Sequence, residues 1–188
     1  MNGGIVPETL QHPPELTTAR LRLRRLRPAD AGLIELYASD PGVAKMSERI
    51  PHPYPPGLAE TYVERVLSGA GGETVWALDI GGDAGAGLIG IIMLRPGEAG
   101  TAALGYWVAR AFWGLGYAGE AVEAVLRHAA TEGLAALTAT VFQDNPASVK
   151  VLMRAGFAYV GAGEGYSAAR GGMAPTFSYR LDLAEVAR

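Results

Sequence analysis

Two hydrophobic periodicities run along this chain, and together they predict a mixture of strands and helices. Leucine and arginine alternate from Arg20 to Arg24, which is typical of a strand with one buried face. Comparable β-rich stretches predict the strands 20–24, 74–80, 87–94, 101–108, 137–141, 157–160 and 176–183. Apolar residues at helical spacing predict the helices 28–38, 43–48, 58–67, 117–131 and 145–155.

The order of these elements predicts a single domain with one mixed sheet. Helical segments come first, then a three-stranded antiparallel meander with a turn at 81–83, and then alternating helices and strands. The Gly- and Ala-rich segment 161–174 is expected to connect the last two strands. No repeat or interdomain linker is visible, so we expect a flexible arm over 1–15 and one domain over 16–188.

Single residues within these elements carry further expectations. Five arginines lie between positions 20 and 27, and we expect the solvated outer face of an edge strand, with a phosphate-binding patch as the alternative. Trp76 lies in an alternating strand and is expected in the core. His128 is expected to be a partly exposed helix residue.

Composition narrows the classes of function. The chain has 188 residues without cysteine, which excludes disulfides, thiolate nucleophiles, Cys–zinc sites and iron–sulfur clusters. Three widely spaced histidines argue against a metal site, and a net charge of −3 argues against nucleic-acid binding. No run of 18 apolar residues and no secretion signal is visible, so we expect a cytoplasmic protein that does not bind membranes.

The first candidate motif is a strand that enters a glycine-bearing turn and then a long helix. Gly114 and Gly116 allow close approach to the backbone, and the first-turn N–H groups of the helix attract anions. The same glycines could also serve only as a tight turn. A phosphate loop with Gly-Lys-Ser/Thr is missing, and the antiparallel strands before the turn do not fit a dinucleotide fold.

The second candidate motif lies at the start of the next helix. Asn145 stands where an N-cap belongs, because Pro146 fits the first helical position. Ser148 follows three residues later on the same face of the helix. Asn145 could be a cap alone or could also bind a ligand.

Together the two motifs resemble the GNAT N-acetyltransferase superfamily, which transfers an acetyl group from acetyl-CoA to an amine. The family's pyrophosphate motif Gln/Arg-x-x-Gly-x-Gly/Ala corresponds to residues 113–118, with Trp113 in place of Gln or Arg. The segments 105–121 and 145–157 and the opening 18–30 resemble the branch of ribosomal-protein N-terminal acetyltransferases. The resemblance spans about residues 16–183.

The resemblance implies a fold and a set of binding residues. It implies a mostly antiparallel seven-stranded sheet of α+β class, split like a V between strands 101–108 and 137–141 and flanked by about four helices. CoA would lie in the split, its pantetheine arm along the strand edge and its pyrophosphate on the turn. The implied CoA-binding residues are Trp107, Val108, Ala109, Arg110, Gly114, Leu115, Gly116, Tyr117, Ala118, Gly119, Asn145 and Ser148.

The same resemblance implies how the acetyl group is transferred. It would pass directly to nitrogen, and the Val108 backbone N–H would polarise the carbonyl. The family's usual glutamate and its usual Tyr or Ser are replaced by Ala102 or Ala103 and by Leu152. Candidates near the reaction are Tyr106 as wall or proton donor, Ser148 as a weak substitute, and Glu120 as base or first-turn acid.

The sequence does not determine the identity of the acceptor. His52 and Tyr54 lie in a Pro-rich loop that either walls the acceptor site or is only a stiff surface loop. We expect a primary amine, of a protein N-terminus or of a small molecule such as an antibiotic or polyamine. The alternatives are a CoA-binding sensor without turnover and, more remotely, a nucleotide-binding protein. The expected partner is the acceptor, with a homodimer as a possibility.

Overall fold

A computed structural model describes residues 13–81 and 87–185. The predicted arm therefore lies largely outside the described residues, as do positions 82 and 83 of the predicted turn. At the end of that arm, the Trp76 Nε1 donates to the Pro14 carbonyl at 2.9 Å. Trp76 itself is fully buried, as predicted.

Within the described residues, eight strands form one sheet. They are β1 (Leu16–Thr17), β2 (Arg22–Arg24), β3 (Thr74–Asp79), β4 (Leu88–Pro96), β5 (Thr101–Val108), β6 (Ala136–Phe142), β7 (Ala158–Ser167) and β8 (Gly172–Asp182). Their order across the sheet is β1-β2-β3-β4-β5-β6-β8-β7. All neighbours are antiparallel except β5 and β6, which are parallel.

Five α-helices cover the sheet in the described part of the chain. They are α1 (Ala31–Ala38), α2 (Pro41–Lys45), α3 (Leu58–Leu67), α4 (Tyr117–Thr131) and α5 (Pro146–Arg154). One core cluster packs α4 and α5 against one face of the sheet, and a second packs α1 and α3 against the other face. The mixed, mostly antiparallel sheet between helices confirms the predicted fold class.

Two element predictions were wrong. The segment 161–174 is not a connection, because β7 and β8 extend through most of it as a hairpin. Its small residues lie on a largely exposed ribbon and give no apolar alternation. The short helix begins at Pro41 rather than 43, because the Asp40 carboxylate caps it by accepting from the Gly42 and Val43 N–H groups. The eighth strand, β1, is only two residues long and was not predicted.

Two residue predictions were also wrong. Arg24 does not lie on a solvated face but is buried, where it donates to Asp30 and Asp79. β2 is not an edge strand, since β1 pairs with it on the outside. His128 is buried rather than partly exposed, with its ring edge-on to Trp76 at 5.6 Å between centroids. Burial lowers the pKa of His128, and Glu132 opposes that shift.

Candidate active site

The sheet opens between its two parallel strands. β5 and β6 pair at only three positions, from Thr101–Ala136 to Ala103–Thr138. Beyond these pairs β5 continues to Val108 and β6 to Phe142, so the strands separate. The predicted V-shaped split therefore lies where the resemblance implied it.

The register of β5 directs one set of backbone groups into this split. The Ala109 N–H donates to the Ile89 carbonyl at 2.7 Å, so odd-numbered residues of this segment bond to β4. Hydrogen bonds alternate along an antiparallel pair, so the N–H of Val108 points away from β4 and into the split. The Val108 carbonyl accepts from the Trp113 Nε1 at 2.6 Å.

The glycine turn lies at the start of α4, near the end of β5. Gly114 and Gly116 adopt positive φ angles of 74° and 86°, which side chains with a Cβ rarely adopt. A Cβ at Gly114 would meet no atom within 4 Å, so the backbone there is open to a ligand. The exposed turn and the unpaired N–H groups of α4 together fit an anion such as a pyrophosphate.

Arg20 and Glu120 brace this turn from the side of β2. Arg20 donates to the Glu120 carboxylate at 2.7 Å and to the Leu115 carbonyl at 2.9 Å, and its guanidinium lies 4.5 Å from the Tyr117 ring centroid. Burial would raise the pKa of Glu120, but hydrogen bonds from Thr18 and Arg20 outweigh it and lower the pKa. Glu120 is thus an ion-pair partner, which argues against a role as base.

The N-terminus of α5 forms the opposite wall of the split. The Asn145 side-chain oxygen accepts from the Ser148 N–H at 3.1 Å, which is the expected cap. Burial raises the pKa of Tyr106 to about 12, and the neighbouring Ser148 hydroxyl opposes part of that shift. The Tyr106 hydroxyl is shielded from solvent without a hydrogen bond of normal geometry to any described residue. Leu152 is fully buried in the core.

A cavity of about 430 Å³ lies on the other face of the sheet, beneath α1 and α3. Its floor includes Ile91, Met93 and Arg95, which alternate onto one face of β4. It reaches the split, because Leu104 and Tyr106 of β5 and Phe142 of β6 also line it. The cavity therefore extends along β5 up to Trp107, the residue before Val108.

The remaining predicted site residues lie in different surroundings. Tyr54 and Trp107 line the cavity, whereas His52 is exposed and lies outside its lining. Ala109 is buried and Arg110 is exposed. Ala118 and Gly119 follow in the first turn of α4.

The cavity contains a charged cluster that was not predicted from the sequence. The Glu73 carboxylate accepts from Arg49, Arg65 and Arg95, and only 4% of its side chain is exposed. Burial would raise the pKa of Glu73, but the three arginines lower it. Arg49 lies in a loop, Arg65 in α3, Glu73 directly before β3 and Arg95 in β4. Because these positions are far apart in the sequence, no local pattern predicts the cluster.

Among residues 13–81 and 87–185, no group of three or more His, Asp or Glu side chains is arranged to hold a metal ion. In the same part of the chain, no helix combines the length and apolar character needed to span a membrane.

Comparison with known proteins agrees with this geometry. The profile of the acetyltransferase (GNAT) domain matches residues 20–158, so the chain belongs to the GNAT acetyltransferase family. An uncharacterized N-acetyltransferase p20 of Bacillus licheniformis is 30% identical over 170 residues, covering 88% of this chain and 94% of that protein.

Solved structures share the fold. RimJ of Mycobacterium smegmatis, in complex with CoA-disulfide, matches with a TM-score of 0.79 and 22% identity over 95% of this chain and 91% of that one. Spermidine N-acetyltransferase of Vibrio cholerae, in complex with CoA and spermine, matches with a TM-score of 0.75 and 19% identity, over 91% and 100% of the two chains. The protein is an acetyl-CoA-dependent acyltransferase.

Proposed function

We propose that this protein transfers the acetyl group of acetyl-CoA directly to a primary amine that enters through the cavity. The observation that carries the proposal is the meeting of the cavity with the split at β5, where the Val108 N–H is directed away from β4. The amine and the acetyl donor thus approach one strand from opposite faces.

The open glycine turn and the capped start of α5 support binding of the cofactor in the split. The N–H groups from Gly114 to Gly119 would hold the pyrophosphate, and the Asn145 amide nitrogen would hold the pantetheine arm. Of the other implied binding residues, Val108 to Arg110 precede the glycine turn and Leu115 to Ala118 lie in it or at the start of α4, whereas Trp107 lines the cavity. Acetyl-CoA supplies an activated acyl group when it is bound.

The Val108 N–H would donate a hydrogen bond to the acetyl carbonyl oxygen as negative charge develops there. Because this N–H is fixed in a strand, it needs no reorganisation during the reaction. Holding amine and carbonyl in attack geometry supplies a large further share of the acceleration.

The titratable groups near the split support transfer without a dedicated base. Glu73 and Glu120 have lowered pKa values because arginines hold them. The neutral Tyr106 hydroxyl and the Ser148 hydroxyl could only donate protons. Glu48, the other carboxylate of the cavity lining, is exposed to solvent, so the amine loses its proton to water and attacks as the neutral amine while CoA leaves as the thiol.

The Val108 N–H is tested by removing it. Val108→Pro lacks the donor, while Val108→Ala keeps it and shortens the side chain. We expect Val108→Pro to lower kcat by about 10²–10³-fold with CoA affinity retained, as for other lost oxyanion donors. Val108→Ala should stay within a few-fold of the wild type. A folded Val108→Pro protein with a kcat close to the wild type would refute the proposed contact.

A further inference from the structure

The charges of the cavity do not balance. Its charged lining consists of Arg49, Arg65 and Arg95 against Glu48 and Glu73, three positive charges against two negative ones. A polyamine would bring further positive charge into this cavity, while an anionic group would neutralise it.

Glu73 uses few of the donors that the three arginines carry. Three hydrogen bonds reach its two carboxylate oxygens, one from each guanidinium. Each guanidinium carries five N–H donors, so most of the donors in the cluster are not used by Glu73. The side chains of Arg49, Arg65 and Arg95 are 53%, 35% and 38% exposed, so these donors are accessible.

The cluster is also held in place. Arg65 lies over the ring of Tyr62, 5.3 Å from its centroid. A Cβ at Gly71 would stand 2.0 Å from the Arg65 Nη1, so the backbone at Gly71 leaves room for this guanidinium. The Tyr62 hydroxyl is buried without a hydrogen-bond partner among the described residues, and Tyr62 lines the same cavity.

The register of β4 and β5 gives the distance from this cluster to the reaction. Arg95 pairs with Ala103, three residues from Tyr106 and five from Val108 along β5. At about 3.3 Å per residue, this corresponds to about 10–17 Å along the strand. An extended peptide covers that distance in about three to five residues.

We propose that the acceptor is an elongated primary amine carrying a carboxylate or phosphate, which Arg49, Arg65 and Arg95 bind at the Ala103 end of β5. The inference rests on the proposed function, since it takes Val108 as the place of transfer. An acidic peptide with a free N-terminus has this chemistry and this length.

Peptide amides with a free N-terminal alanine test the proposal. Five-residue peptides differ only at position four, which is Asp, phosphoserine, Asn or Lys, and spermidine is added as a polyamine. For the wild type we expect kcat/KM for the Asp or phosphoserine peptide to exceed that for the Asn peptide about tenfold or more, as for charge-assisted pairs. The faster of the two anionic peptides identifies carboxylate or phosphate as the preferred group.

Variants assign the preference to the cluster. Arg95→Gln and Arg49→Gln should reduce the preference for the anionic peptides over the Asn peptide, measured as the ratio of their kcat/KM values in the same variant, to about threefold or less. Arg180→Gln is the matched control, because Arg180 is similarly exposed on β8 and does not line the cavity. Arg49 lies in a loop, so its variant retains a test if Arg95→Gln fails to fold.

The outcomes separate the two proposals. Equal rates for the Asp, phosphoserine and Asn peptides, or faster acetylation of the Lys peptide or spermidine, would overturn the anionic acceptor and leave the transferase intact. A preference unchanged in both arginine variants would also overturn it. If no amine is acetylated, the proposed function fails and the inference fails with it.

Discussion

The Tyr106 hydroxyl is enclosed but makes no hydrogen bond of normal geometry within the described structure. Its neighbour is the Ser148 hydroxyl, and burial keeps its pKa at about 12, so it stays protonated at neutral pH. The register of β5 has no bulge and places Tyr106 on the same face of the strand as Ala102. A proton donor needs the hydroxyl, whereas a wall needs only the ring, so removal of the hydroxyl distinguishes the two roles of Tyr106.

Tyr106→Phe removes the hydroxyl and keeps the ring. We expect kcat to fall less than about tenfold, because a general acid typically contributes 10²–10⁴-fold and transfer here relies on orientation. The wild-type and variant rates should both rise with pH as the acceptor amine deprotonates. Steady-state rates across pH measure this, and a thousandfold loss with intact CoA binding would make Tyr106 the catalytic acid.

Asn145 caps α5 and is proposed to bind the pantetheine arm, and one substitution cannot separate these two roles. Asn145→Ala should raise the KM for acetyl-CoA and lower the free energy of unfolding by about 1 kcal/mol, because the cap on α5 is lost. Asn145→Asp keeps a capping oxygen but loses the amide N–H₂ group. It should therefore raise the KM for acetyl-CoA without lowering the free energy of unfolding, which urea unfolding measures. An unchanged KM in both variants would leave Asn145 as a cap only.

At the scale of elements, the sequence predicts those features that residues close together in the chain determine. The bounds of α3 and α4 follow from apolar periodicity and agree with the structure. The glycine turn and the start of α5 could also be predicted, because in each a few consecutive residues determine both the backbone conformation and the polar groups that it presents. The last two strands were predicted, but their extension through most of 161–174 was missed because that segment is rich in small, exposed residues. The arginine cluster was missed because residues 49, 65, 73 and 95 meet only in the fold.

Gly116→Asp tests the turn at the start of α4. A carboxylate among N–H groups that would bind a phosphate should weaken CoA binding by about 1–3 kcal/mol, read by calorimetry. Gly133→Asp is the matched control at the other end of α4, with a φ of 74° and no atom within 4 Å of a Cβ. It introduces similar backbone strain and charge away from the turn. Equal CoA affinity in a folded Gly116→Asp protein would exclude the pyrophosphate site.

At the scale of the whole molecule, a buried ion network joins β2, β3 and the turn before α1. Arg24 donates to Asp79 and to both oxygens of Asp30, and Asp79 is fully buried. Burial would raise the pKa of Asp79, but the hydrogen bonds from Arg24 and the Gly81 N–H and the nearby arginines lower it. Such a carboxylate stabilises the fold above its unfolded pKa, near 4, and this contribution is lost as pH falls through the lower folded value.

Asp79→Asn should therefore lower the free energy of unfolding at pH 7 by about 3–5 kcal/mol, because Arg24 is left as an incompletely paired buried charge. The deficit should shrink below about pH 4 as the wild type loses its own carboxylate charge. Asp182→Asn, which removes an exposed partner of Arg180, should cost less than about 1 kcal/mol. Urea unfolding at several pH values measures all three proteins, and a deficit independent of pH would contradict the ion network as its source.

The central claim is that one strand brings a CoA-bound acetyl group and an amine together from opposite faces of the sheet. The most direct measurement incubates the wild type with acetyl-CoA and the Asp peptide, and follows both released CoA and the mass of the peptide. The account predicts one acetyl group on the terminal nitrogen for each CoA released, with the rate strongly reduced in Val108→Pro. CoA binding without any acetylated peptide, from this or any other amine, would contradict it.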